Sequence, residues 1–320
     1  MLRWRLSVLS LNILFGAVLA ISCGGGGGSS SPTAPTATAT TTTTTTTTSS
    51  LGVCGITTAQ ASVTPTFDII TIPAGDLFYG AATKCIRVFG VMVMAVDSGP
   101  EITDAKLKHA ATIAAEWLDN DEDGIVDSSA VNNAIREKKA TVAVINGDGD
   151  LGVFLNQVAG EIDGNAQEVG VGEMWPDNCK GCGQSEYDAA MEEILHLIQN
   201  NGWSQAYPDI NDRGTATNKL TAAMDVARGG NFLSIPASYP ASAWYTYNDA
   251  TCDYTCQLTE YLFWLVTSAA DGNSHRCSKI EQEWDLCTRA LVESTDALGW
   301  AILTDVSYNL PSVHPNGVYR

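Results

Sequence analysis

Apolar positions in this chain change their spacing several times, and each spacing predicts an element. Cys85 to Val96 is an almost unbroken apolar run rich in β-branched residues, which predicts a buried strand. From Thr103 to Leu118 the period becomes helical, with Leu107, Ala110, Ile113, Ala114 and Trp117 on one stripe. An acidic loop, Asp119–Asp127, follows, then a short helix near Ser128–Lys138 and a second apolar strand, Ala140–Ile145. Asn146 to Asp150 reads as a turn. Glu168 to Met174 alternates, as an edge strand would. Helical patterns then fill Tyr187–Asn200, Thr215–Arg228 (stopped by Gly229-Gly230), Thr255–Ala270 and Ile280–Leu298. Strands in the first half and helices in the second predict an α+β fold: a small mixed sheet backed by a helix, then a mainly helical C-terminal half.

The chain has 320 residues and a formal net charge of −19, from 17 Lys and Arg against 36 Asp and Glu. This acid excess excludes a role built on gripping phosphate backbones, so no nucleic-acid partner is expected. Residues 1–22 read as a targeting segment, with Arg3 and Arg5 before an apolar stretch from Leu6 to Ile21. That stretch is too short, and wrongly flanked, for a membrane span. Leu19-Ala20-Ile21-Ser22-Cys23 resembles the bacterial lipoprotein signal, in which small residues precede a cysteine that is acylated and becomes the new N terminus. The resemblance implies a lipid on Cys23, a membrane as partner, and a place in the cell envelope, at the outer membrane or cell surface. Residues 24–50 are only Gly, Ser, Pro, Ala and Thr, including nine threonines from Thr40 to Thr48. Nothing there can offset the entropy of ordering, so residues 23–50 read as a disordered tether reaching up to about 90 Å, at ~3.3 Å per residue. The globular domain is then residues 51–320.

That domain holds eight cysteines: Cys54, Cys85, Cys179, Cys182, Cys252, Cys256, Cys277 and Cys287. An even number in an exported chain predicts disulfide staples. Proximity favours Cys179–Cys182, Cys252–Cys256 and Cys277–Cys287, which leaves Cys54–Cys85. Cys179-Lys180-Gly181-Cys182 also has the spacing of a redox pair, or of half a zinc site completed by Cys252 and Cys256.

The acidic loop places Asp119, Asp121, Asp123 and Asp127 at positions 1, 3, 5 and 9 of an EF-hand-type loop, with Gly124 at position 6. Carboxylates two residues apart can converge on a hard cation, Gly124 permits the sharp turn, and the Ile125 carbonyl adds an oxygen. The stretch resembles EF-hand and dockerin-type calcium loops over nine residues, which implies a structural calcium ion. It departs from them at position 12, where Ala130 replaces the expected acid.

Within the Tyr187–Asn200 pattern, Tyr187, Met191, Ile194, Leu195 and Ile198 share one face, and Glu192, Glu193 and His196 lie on the other. Residues at i and i+4 can ligate one metal, and the acid after the first ligand can take a proton from water on that metal. Glu192-Glu193-Ile194-Leu195-His196 resembles the HExxH helix of zincin metallopeptidases with Glu in place of the first His. The gluzincin branch draws its third ligand, a glutamate, from a later helix. Glu260, the only charged residue from Thr255 to Ala270, is the candidate. The resemblance implies a zincin-like fold, zinc on Glu192, His196 and Glu260, Glu193 as general base, and a peptide or surface-polymer substrate. The plain alternative is a solvated helix face, with Glu260 in a salt bridge to Arg228.

Five aromatic residues, Tyr239, Trp244, Tyr245, Tyr247 and Tyr254, crowd one stretch that either lines a groove or anchors a loop. His275 sits in a loop where it could assist catalysis. Two functions follow: a lipid-anchored, calcium-binding, metal-dependent hydrolase, or a non-catalytic calcium-stabilised module that grips a partner through its aromatic loop. Neither reading sets an oligomeric state.

Overall fold

Strands apolar on both faces need cover on both sides, and the centre of the molecule is built to give it. The computed structural model describes residues 51–97, 99–147, 149–158, 160–162, 165–175, 187–211 and 217–320. All of these belong to one unit, Thr48–Arg320. The targeting segment, the whole tether with Cys23, and Cys179 with Cys182 lie outside the described residues. No described helix is long and apolar enough to cross a membrane.

Five strands, β1 (Ile70–Thr71), β2 (Ala82–Val88), β3 (Val91–Val96), β4 (Thr141–Ile145) and β5 (Ala166–Gly170), form one sheet in that order. The β1–β2 and β2–β3 pairs are antiparallel, whereas the β3–β4 and β4–β5 pairs are parallel. The sheet is therefore mixed, as expected, and β5 is its edge. The apolar run Cys85–Val96 is not one strand. It folds back at Phe89-Gly90, with Phe89 at φ +48°, and supplies β2 and β3. Both arms are apolar, so hydrophobicity carries no sign of the reversal. The backbone comes so close at Gly90 that a Cβ there would sit 2.5 Å from the Asn132 carbonyl oxygen.

The helices of seven or more residues are α1 (Asp104–Leu118), α2 (Ser129–Glu137), α3 (Asp150–Gln157), α4 (Ala189–Ile198), α5 (Lys219–Ala227), α6 (Tyr254–Ala269), α7 (Arg289–Thr295) and α8 (Ala297–Leu303). On one face of the sheet Met92, Met94, Ala143 and Ile145 pack with Cys54, Phe78 and with Phe154 of α3. Asp150, expected in a turn, instead starts α3, a helix that the apolar spacing does not predict. The other face is covered by α1 and α4, and the whole predicted stripe of α1 is buried. Register carries this alternation to the edge: Val93, Val142 and Gln167 lie side by side across β3, β4 and β5. Gln167 thus belongs to the helix-covered face.

Two boundaries move from expectation. The alternating stretch Glu168–Met174 is strand only to Gly170 and then turns through a 3-10 segment, Val171–Glu173. The pattern Ile280–Leu298 is not one helix. Trp284 is drawn into a bridge with Tyr245, Cys277 is bonded to Cys287, and Thr288 and Asp296 cap α7 and α8 as separate helices. Three disulfides occur among the described residues: Cys252–Cys256 and Cys277–Cys287, as proximity favoured, and Cys54–Cys85, the pair then left over. Pairing of Cys252 with Cys256 removes both from any zinc site.

Candidate metal centre

Asp188 starts α4 as its N-cap, its Oδ1 accepting from the Ala190 N–H at 3.0 Å. Its Oδ2 meets His109 Nε2 of α1, so the cap also ties α4 to the backing helix. Trp117 Nε1 donates to the Met191 carbonyl at 3.0 Å from the same side. Held this way, α4 lies between α1, β5 and α6. Its polar residues do not form a solvated face: Glu193 and His196 are buried and Glu192 is half-buried. Beyond Ile198 the helix loosens into a π-helical turn, Gln199–Trp203.

α6 brings Glu260 onto this face, 97% buried. His196 Nε2 lies 3.8 Å from Glu260 Oε2, and Nδ1 lies 3.7 Å from Glu193 Oε2. Ligand atoms of Glu192, His196 and Glu260 all fall within 4.8 Å of one another. His196 Nε2 is buried without a hydrogen-bond partner, an arrangement that costs free energy in a protein interior. Phe263 stands edge-on to the imidazole, with ring centres 5.7 Å apart. Arg228 is not the partner of Glu260. It pairs with Asp225 at 2.7 Å and bonds Gln257 and the Phe232 carbonyl.

The electrostatics are those of crowded acids. Burial, and then the charge of Glu260, push the Glu192 carboxyl up to about 8. Burial raises Glu260 to about 7, opposed by His196 and by a hydrogen bond from Tyr247. Burial alone would lower His196, but Glu260 and Glu193 outweigh it and hold the ring up at about 9. A divalent cation suits this donor set: two carboxylates and an imidazole nitrogen that has no other partner.

Three further neighbours, Gln167, Arg276 and Glu283, carry no signal in the sequence, and a fourth, Tyr247, stands out there only as part of the aromatic stretch. Gln167 donates from Nε2 to Glu193 Oε2. Tyr247 stands close enough to Glu260 to favour its charged form. Arg276 lies 3.7 Å above the Tyr187 ring, and its charge is felt at Glu192 and Glu283. Glu283 is pushed up to about 7 by burial, against the pull of Arg276. Each is placed by tertiary contact rather than by helical spacing. His275 is exposed. The aromatic stretch turns inward: Tyr245 and Tyr247 are buried, the Tyr245 hydroxyl donates to the Gln257 carbonyl at 2.7 Å, and Trp244 donates to Asp296. Loop anchoring is its role here.

The acidic loop joins α1 to α2. Ligand atoms of Asp119, Asp121 and Asp127 converge within 4.8 Å. Asp123 is not among them; its Oδ1 accepts from the Ile125 N–H at 2.8 Å. Gly124 has φ +95°, and a Cβ there would run into Arg320 Nη1 at 1.8 Å. Burial, and then Asp121 and Asp119, raise Asp127 to about 6 despite the N–H of Asn120. The chain end closes over the loop. Glu116 accepts from the N–H groups of Asn316 and Gly317 at 2.8 and 2.9 Å. Asn120 Oδ1 accepts from Ser312 and Val313, and the Tyr319 hydroxyl reaches Asp119.

The fold and both acid clusters define a disulfide-stapled α+β protein with two groups of residues able to hold a metal ion. No family model, curated protein or solved structure matches the chain.

Proposed function

We propose that this protein is a cell-envelope lipoprotein, anchored through Cys23, that acts as a metal-dependent hydrolase on peptides. Glu192, His196 and Glu260 hold the metal, with zinc as the ion the motif implies. The observation that carries this reading is the buried, unpartnered His196 Nε2 facing Glu260, with Glu192 alongside. A polar atom left without a partner is what a missing ligand atom would repair. A bound divalent ion would supply Lewis acidity and make a coordinated water easier to deprotonate. Glu193, against His196, is the carboxylate nearest to hand as proton acceptor, and Tyr247 steadies Glu260. The acidic loop holds calcium through Asp119, Asp121 and Asp127 and braces α1 against α2. Tyr245 and Tyr247 of the aromatic stretch are buried, which leaves it less with which to grip a partner and supports the hydrolase reading.

Metal analysis of the purified protein tests this. About one transition metal per chain is expected, and Glu260→Ala should lower it sharply. An unchanged metal content in Glu260→Ala would remove the site. Cys23→Ser should move the protein from membrane to soluble fraction, and unchanged partition would remove the anchor.

A further inference from the structure

Glu193 is expected to stand ready for water, yet its Oε2 is already engaged. The Gln167 side-chain amide donates to it from the edge strand, and His196 Nδ1 faces it at 3.7 Å. The two nitrogens of His196 thus look at different acids: Nε2 at Glu260, 3.8 Å away, and Nδ1 at Glu193. A histidine that binds metal through one nitrogen carries its proton on the other, and a carboxylate there fixes both tautomer and ring orientation. We propose that Gln167 and Glu193 form an orienting relay for His196: Gln167 holds Glu193 at Nδ1, and Glu193 directs Nε2 at the metal.

The relay rests on the metal reading above and adds to it. Gln167 can serve only because register places it on the helix-covered face, in line with Val142 and Val93. With Oε2 taking the Gln167 amide hydrogen and facing the ring at 3.7 Å, Oε1 of Glu193 is the freer oxygen to accept a proton from water. Glu193 then acts through His196 as a positioning residue, whether or not it also touches water.

Zinc titration against a competing chelator, with full-length protein, tests the relay, and cobalt(II) serves as the spectroscopic probe. Glu193→Ala should weaken zinc binding about 10- to 100-fold, the usual cost of losing an outer partner of a ligating histidine. Glu193→Gln keeps a carbonyl acceptor and should recover much of that loss. Gln167→Leu should weaken binding in the same direction, by less, and shift the visible spectrum of the cobalt(II) form, which a purely structural role would not do. Thermal melting checks that each variant is folded. If Glu193→Ala does not fold, Gln167→Leu decides: wild-type zinc affinity with an unshifted cobalt spectrum overturns the relay. Loss of zinc in His196→Ala beside unchanged binding in Glu193→Ala and Gln167→Leu also overturns the relay, but leaves the metal site standing. Wild-type zinc binding by His196→Ala overturns both.

Discussion

Three glutamates crowd one imidazole around His196, and the crowding makes the metal-free protein sensitive to base. Glu192 and Glu260 have carboxyl groups raised above the ordinary 4.5, to about 8 and about 7, and His196 is raised from 6.5 to about 9. A group raised on folding holds its proton more tightly in the native state. The native state is therefore favoured at low pH and loses that advantage as pH climbs through the raised value. Buried His314 has the opposite sign, being lowered to about 4, so its effect is confined to pH below about 6.5. Between pH 6.5 and 9 the metal-free protein should lose stability as pH rises, measured as a falling melting temperature. If these three groups hold zinc as proposed, binding displaces their protons, and added zinc should flatten or reverse the slope. Glu260 was legible in the sequence because a lone acid in an apolar helix must find a partner. Gln167, Arg276 and Glu283 were not, because nothing local distinguishes them from other polar residues, and the aromatic cluster around Tyr247 does not say that it reaches Glu260; only sheet register and loop packing bring them to the site.

Among the elements, α4 depends on its first turn. Asp188 caps the helix and also partners buried His109. Asp188→Ala should cost about 1 kcal/mol for the lost cap and about 1–3 kcal/mol for the orphaned histidine. A lower denaturant midpoint with an unchanged m-value would show it. Asp188→Asn, which keeps the cap acceptor, should cost less. The backing helix, β4 and α6 could be read directly, since each carries one clean period over its length. Reading failed where tertiary structure overrode a pattern. The apolar run at Cys85 conceals a hairpin, and the helical pattern at Ile280 is cut by the Trp284 bridge and the Cys277–Cys287 bond.

For the molecule as a whole, stability is expected to come from staples and ions as well as from the core. Breaking Cys54–Cys85, which closes a 31-residue separation, should cost about 2–5 kcal/mol, seen as a lower melting temperature of the Cys54→Ala/Cys85→Ala pair. Calcium at about 100 times its dissociation constant should add ~2.7 kcal/mol. Asp121→Ala should abolish most of that gain, and equal melting temperatures in calcium and in chelator would argue against the site. The gross plan of sheet first and helices after was visible in the sequence because periodicity is a local property. The dependence of the acidic loop on the chain end was invisible, because Glu116 and Gly317 are 201 positions apart.

That separation bears on the order of assembly. At ~5–20 residues per second, a ribosome needs roughly 10–40 s between making Glu116 and making the residues that close over it. During that interval the backing helix can form on the sheet, but Asn120 lacks Ser312 and Asp119 lacks Tyr319. The loop is thus completed only after the segment that closes it is made, and a nascent chain halted before residue 312 would carry it open. Synthesis runs from the loop toward its closing segment, and completion must run the other way.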